Sequence, residues 1–225
     1  MVDMFVLVGF TLLLGARVLS TKAPPPAPPS WPVAFSVKFQ EEARNGTATT
    51  SRNDGAWYYD WSQISARFDH LNNQNNWICQ GRGLNVTAPH GDCQVLFSQD
   101  ADMFVIYPGE KKCCRACGPA EGCTVPVPNW LAESKFIGNE TINGTGCMGW
   151  EKAGTHGQTT ADRWYQTAKG KPCQYWESVT SDNVTYVHTL TFNQTTFHIG
   201  QPDASVFAVP DYCDRYSKCP NPWPH

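Results

Sequence analysis

The chain has 225 residues, with 20 acidic and 17 basic side chains and a formal net charge of −3. The charges are dispersed, so no basic stripe suits a nucleic acid and no polybasic patch suits an anionic lipid surface. The aromatic inventory is heavy (9 Trp, 8 Tyr, 11 Phe), and ten cysteines make an even set.

Phe5 to Leu14 form an apolar run too short for a membrane-spanning helix, which needs roughly 20 residues. The run suits the core of a secretory signal, with the small residues Val18 and Ser20 at the cleavage positions, so residues 1–20 are expected to be removed. A membrane anchor is the competing reading, and no later stretch is apolar and long enough to assist it. Residues 21–30 form a proline-rich tether that lacks the amide donors a helix or central strand requires. One domain is expected over residues 31–219, followed by a short tail, 220–225.

Within that domain the periodicity is mostly two. Phe35, Val37 and Phe39 alternate with Ser36, Lys38 and Gln40. Alternation recurs over Trp57 to Trp61, Ile64 to Asp69, Met103 to Tyr107, Thr185 to Phe192 and Thr196 to Ile199. Asn53-Asp54-Gly55 and Asn193-Gln194 read as turns, and Trp130 to Phe136 as a short helix with Asn129 as its N-cap. An antiparallel β domain with one apolar and one wet face follows. Its apolar face needs a cover, either a second sheet or the same sheet curled over a cavity. The inward candidates are Phe35, Val37, Phe39, Trp57, Tyr59, Trp61, Ile64, Phe68, Leu190 and Phe192.

Export is supported by six Asn-x-Thr sequons, at Asn45, Asn85, Asn139, Asn143, Asn183 and Asn193, each of which must be exposed to carry a glycan. The cysteines Cys79, Cys93, Cys113, Cys114, Cys117, Cys123, Cys147, Cys173, Cys213 and Cys219 read as five disulfides of open connectivity. Cys114 and Cys117 have C-x-x-C spacing, but redox motifs of that kind open a helix in a βαβ unit, and a zinc site needs paired ligands that the isolated His90 and His156 do not supply.

Catalysis is not expected. Among the six histidines none lies in an H-E-x-x-H motif, and no G-x-S-x-G elbow is present. His188 and His198 fall in strand patterns, where a structural role is the default. Asp60, Asp69, Asp100 and Asp102 supply carboxylates without a fixed separation, and Asp100 and Asp102 suit a turn or a weak calcium site.

Phe197-His-Ile-Gly-Gln-Pro-Asp-Ala-Ser-Val-Phe207, followed by Val209-Pro210 and Cys213, resembles the closing signature of the ependymin-related proteins. Cys93 to Phe97, Met103-Phe104, Lys112-Cys113, Tyr59-Asp60, Val127-Pro128, Phe136 to Gly138, Trp150 and Cys173 fall in that family's order, so the likeness spans about residues 31–219. The resemblance implies a mainly β fold of the lipoprotein-carrier (LolA-like) type, a curled antiparallel sheet forming a half-open barrel with a few short helical segments across its mouth. It further implies an apolar pocket for a fatty-acyl or lipid-like ligand, a homodimer, calcium binding in some members, and a secreted or lysosomal location. By position, Cys93 would pair with Cys219 and Cys113 with Cys213. Cys173 would lack its family partner and need Cys79 or Cys147. The expected function is therefore binding of a hydrophobic small molecule without a cofactor. A carbohydrate-binding or matrix-adhesion module, built as a solid sandwich with aromatic platforms outside, is the alternative.

Overall fold

A computed structural model describes residues 24–74, 76, 78–80, 82–86, 92–100, 102–153, 159–181 and 184–221. The expected signal, the first tether residues, the sequon at Asn183, His90, His156 and the last residues of the tail lie outside them. No described helix is long and apolar enough to cross a membrane.

Among the described residues, eleven strands build one antiparallel sheet. They are β1 (Ala34–Asn45), β2 (Ala48–Asp60), β3 (Ser65–Gln74), β4 (Cys93–Phe97), β5 (Met103–Tyr107), β6 (Lys112–Cys117), β7 (Lys135–Ile142), β8 (Thr145–Ala153), β9 (Thr159–Gln166), β10 (Pro172–Ser181) and β11 (Val184–Ile199). The order β6-β5-β4-β3-β2-β1-β11-β10-β9-β8-β7 describes two meanders joined where β1 pairs with β11. The sheet curls without closing, because β6 and β7 are its two outermost strands and do not pair with each other. The β6–β7 connection therefore has to run from one edge to the other, and it crosses the concave side as a roof. It is tied down by Trp31 N–H donating to Pro128 O (2.8 Å), Tyr59 Oη donating to Pro126 O (2.8 Å) and Lys152 Nζ donating to Trp130 O (2.6 Å).

Side-chain alternation carries the concave face from strand to strand. Phe35 lies opposite Tyr59, Val37 opposite Trp57 and Phe39 opposite Phe192. With Trp31, Leu131, Trp150 and Trp164 these residues form the main core. Trp31 caps it edge-on, its ring 4.9 Å from that of Trp57 and 5.6 Å from that of Tyr59. Edge-to-face packing suits the ring quadrupoles.

The convex face is not uniformly wet, contrary to the expectation from alternation. All five residues of β5 are buried, because Phe104 and Ile106 pack beneath Phe207, Val206 and Val209 of the C-terminal segment while Met103, Val105 and Tyr107 face the concave side. A strand covered on both sides loses its polar alternation.

Three local expectations are corrected. Asn53-Asp54-Gly55 is not a turn but lies within β2; the hairpin turns earlier, at Gly46, whose φ is +58°. Asn193-Gln194 lies inside β11, where a bulge opposite Ser36 and Lys38 absorbs the break in pattern. Trp130 to Phe136 makes no helix: consecutive turns, with Ala132 N–H on Asn129 O and Ser134 N–H on Leu131 O, lead straight into β7. The few short helical segments expected with the curled sheet are present as 3-10 helices, one of which, Pro119–Glu121, lies in the β6–β7 roof.

All ten cysteines are paired, as Cys79–Cys93, Cys113–Cys213, Cys114–Cys219, Cys117–Cys123 and Cys147–Cys173. The implied Cys113–Cys213 pair is present and Cys173 takes Cys147. Cys93 does not reach Cys219, because Cys93 lies on the concave side of β4 beside Ile78 and Leu84 and bonds to Cys79 there, leaving Cys219 for Cys114.

Candidate functional site

The aromatic core fills one end of the concave side, and beyond it the two arms of the sheet diverge. Between them lies a cavity of about 630 Å³. One wall comes from β3, β4 and β5 through Phe68, Val95, Phe97 and Met103; the opposite wall comes from β10 and β11 through Tyr175, Glu177, His188 and Leu190. Residues 120–124 of the β6–β7 roof cover it, clamped by the Cys117–Cys123 disulfide, and Ile78 closes one side. The volume falls in the range of small-molecule sites, roughly 300–1,000 Å³.

Among the pocket candidates from sequence, Phe68 and Leu190 line this cavity. Phe35, Val37, Phe39, Trp57, Tyr59 and Phe192 face the same concave side but are packed solid in the core. Trp61 sits in a 3-10 turn and rests on the core margin. Ile64 turns outward, 45% exposed, because it caps that turn in the left-handed region with φ +50°, which breaks the alternation before β3 begins.

The polar part of the wall is a connected cluster. Glu41, whose side chain is 1% exposed, receives His70 Nδ1 at 2.7 Å and Asn76 Nδ2 at 2.7 Å on one oxygen, and His188 Nε2 at 2.6 Å on the other. His188 Nδ1 lies 2.8 Å from Glu177, and the Tyr175 hydroxyl lies 2.8 Å from both Glu177 and Asp162. Burial by itself would lower the His188 pKa, but hydrogen bonds to Glu177 and Glu41, with their charges, push it up to about 10. Burial likewise opposes ionisation of Glu41 and Glu177, and the bonds from His188 outweigh it and hold both carboxyls below the usual range. For Tyr175, burial and the two neighbouring carboxylates act together to raise the phenol well above its ordinary value. His70 is 2% exposed, and its Nε2 has no hydrogen-bond partner among the described residues.

Glu41 and His70 were missed in the sequence and His188 was read only as a structural strand histidine, yet one further step of the same alternation reaches all three: Glu41 after Phe39, His70 after Phe68, and His188 before Leu190.

The remaining carboxylate candidates are engaged elsewhere. Asp102 accepts from Arg115 Nε at 2.8 Å and Asp100 pairs with Arg215 at 2.8 Å. Asp69 bonds Arg67 Nε at 2.6 Å, and Asp60 accepts from Ser62 and Gln63. No group of three or more metal-ligating side chains occurs among the described residues. Trp31, Trp57, Trp150 and Trp164 are buried rather than presented as an outer platform. Asn45, Asn85, Asn139, Asn143 and Asn193 are all exposed.

No protein-family model and no curated protein matches the chain. Solved structures with similar backbones include an uncharacterized conserved protein from Thermus thermophilus (9% identity, 81% of this chain and 90% of that one, TM-score 0.47). A putative outer membrane lipoprotein-sorting protein domain from Vibrio parahaemolyticus (8% identity, 77% and 88%, TM-score 0.35) and a LolA superfamily protein from Nitrosomonas europaea (10% identity, 78% and 90%, TM-score 0.32) are also similar.

Proposed function

We propose that this protein is a secreted glycoprotein, related to the ependymin-related proteins, that binds an apolar, lipid-like ligand and catalyses no reaction. The cavity between β3–β5 and β10–β11 carries the reading: Phe68, Val95, Phe97, Met103 and Leu190 give it a largely apolar wall inside a preformed, disulfide-braced scaffold. Transfer of apolar surface into such a wall is worth about 25 cal/mol per Å². A rigid frame adds affinity by avoiding ordering costs on binding. Five disulfides and five exposed sequon asparagines fit an oxidising, exported setting.

The test is solvent extraction of purified protein followed by mass spectrometry, together with titration of a neutral solvatochromic dye such as Nile red. Co-purified lipid, or dye uptake reversed by a long-chain amphiphile, is the expected result. Absence of both overturns the proposal.

A further inference from the structure

We infer that the ligand of this cavity carries a hydrogen-bond-donating, non-anionic head, an alcohol or an ammonium group, and not a carboxylate. The inference rests on the cavity reading above and concerns which apolar molecule enters.

Among the described residues, the acidic and histidine side chains lining the cavity are Glu121, Glu177, His70 and His188, and no lysine or arginine joins them. Glu121 is already engaged by Arg115 at 2.8 Å and Lys218 at 3.0 Å. His188, the cationic group that the described inner wall provides, is bonded on both ring nitrogens to carboxylates, Glu41 at 2.6 Å and Glu177 at 2.8 Å. An entering carboxylate would meet Glu177 across low-dielectric space while His188 is already committed, and like charges so placed repel.

The vacant capacity of the wall is of the opposite kind. Glu177, with 34% of its side chain exposed, uses one oxygen for His188 and the other for Tyr175, and each carboxylate oxygen has a second lone pair. His70 spends Nδ1 on Glu41 and leaves Nε2, buried, without a partner among the described residues, and an alcohol, which both donates and accepts, can engage it. A buried nitrogen without a partner is costly, and a ligand hydroxyl removes that cost. Glu177 therefore presents acceptors where a fatty acid would need donors, and a hydroxyl or ammonium at the end of an apolar chain fits the wall.

The experiment titrates the dye-loaded full chain at pH 7.4 with decanol, decylamine and decanoate, which share one chain and differ in head. Both donor heads should displace the dye at concentrations at least about tenfold below decanoate, the scale of one lost charge or hydrogen-bond match. Because the three compounds differ in intrinsic hydrophobicity, the deciding quantity is the change in their ratio on altering the wall. Glu177→Gln should lower the decylamine-to-decanoate preference by about tenfold, and His70→Leu should lower the decanol-to-decanoate preference. Each ratio is read within one protein sample, so a reduced folded fraction leaves it intact. Decanoate binding as tightly as the others, or ratios unchanged in both variants, overturns the head-group assignment while leaving an apolar cavity in place. Failure of the dye and all three compounds to bind overturns the cavity reading itself.

Discussion

Cys113 and Cys114 are neighbours in β6 yet bond across opposite faces of the sheet, Cys113 to Cys213 and Cys114 to Cys219. Successive strand residues point to opposite sides. Cys113 accordingly packs with Phe104 and Phe207 on the convex face, and Cys114 with Val95 and Val105 on the concave face. The C-terminal segment must pass round the edge of the sheet between the two bonds. As it does so, Arg115 N–H donates to Ser217 O (2.8 Å) and Cys219 N–H to Arg115 O (2.9 Å), which occupies an edge otherwise free to pair with another chain.

Non-reducing digestion at acidic pH should therefore yield linked peptides for Cys113–Cys213, Cys114–Cys219, Cys79–Cys93 and Cys147–Cys173. A recovered Cys93–Cys219 or Cys114–Cys213 peptide would refute this path of the chain. Replacing Cys147 and Cys173 by alanine opens a loop of sequence separation 26. Loss of Cys114–Cys219 frees far less chain than its separation of 105 suggests, because Cys113–Cys213 still ties the same two segments and leaves a path of roughly eight residues. Loop-closure entropy then gives about 3.5 kcal/mol for the first pair and about 2.5 kcal/mol for the second. Chemical denaturation should find the Cys147/Cys173 double variant the less stable of the two.

The strand content and the inward set were legible because alternation is local: Phe35, Val37 and Phe39 declare their face within one strand. Curling was not legible from alternation, because a sandwich and a curled sheet bury the same residues. The double burial of β5 depends on a segment some hundred residues later in the chain, which no local pattern encodes. Ile64 was misread because a left-handed cap, not a strand residue, occupies that step. The polar wall was missed for a different reason. Buried Glu41 and His70 break the rule that charged groups face water, and only their mutual bonding makes the exception stable.

Gly55 marks a close approach that sequence reads as a turn. A Cβ added there would lie 2.2 Å from the Phe39 ring and 2.5 Å from the Asp69 carbonyl oxygen. Gly55→Ala should destabilise by about 1–3 kcal/mol. Adding Phe39→Leu should relieve the ring contact but not the one with Asp69 O, so a double-mutant cycle by urea denaturation should show partial, not full, recovery. A neutral Gly55→Ala would contradict the β1–β2–β3 register.

Leu190 is 5% exposed and lines the cavity next to the polar wall. Leu190→Trp adds volume into space that is open, so dye affinity should drop by about tenfold or more while far-ultraviolet circular dichroism stays unchanged. Unaltered dye binding would place the ligand elsewhere on the molecule.

The Glu41–His188–Glu177 cluster should give the fold a stability maximum in mildly acidic solution. The folded pKa of His188 is raised from 6.5 to about 10, so its contribution is complete below pH 6.5 and is lost as pH rises through 10. Glu41 and Glu177 are depressed below 4.5, so theirs is complete above pH 4.5 and is lost as pH falls. Both hold together only between pH 4.5 and 6.5. Above that window the His188 term should decline with a slope approaching ~1.4 kcal/mol per pH unit for one linked proton. Other groups also titrate there, so the informative quantity is the difference between the native protein and His188→Gln in urea denaturation at successive pH values. That difference should shrink steadily from pH 6.5 to 10 as the native protein loses what the variant never had. A difference independent of pH would mean that His188 is neutral in the folded protein and that the two carboxylates are held by other groups.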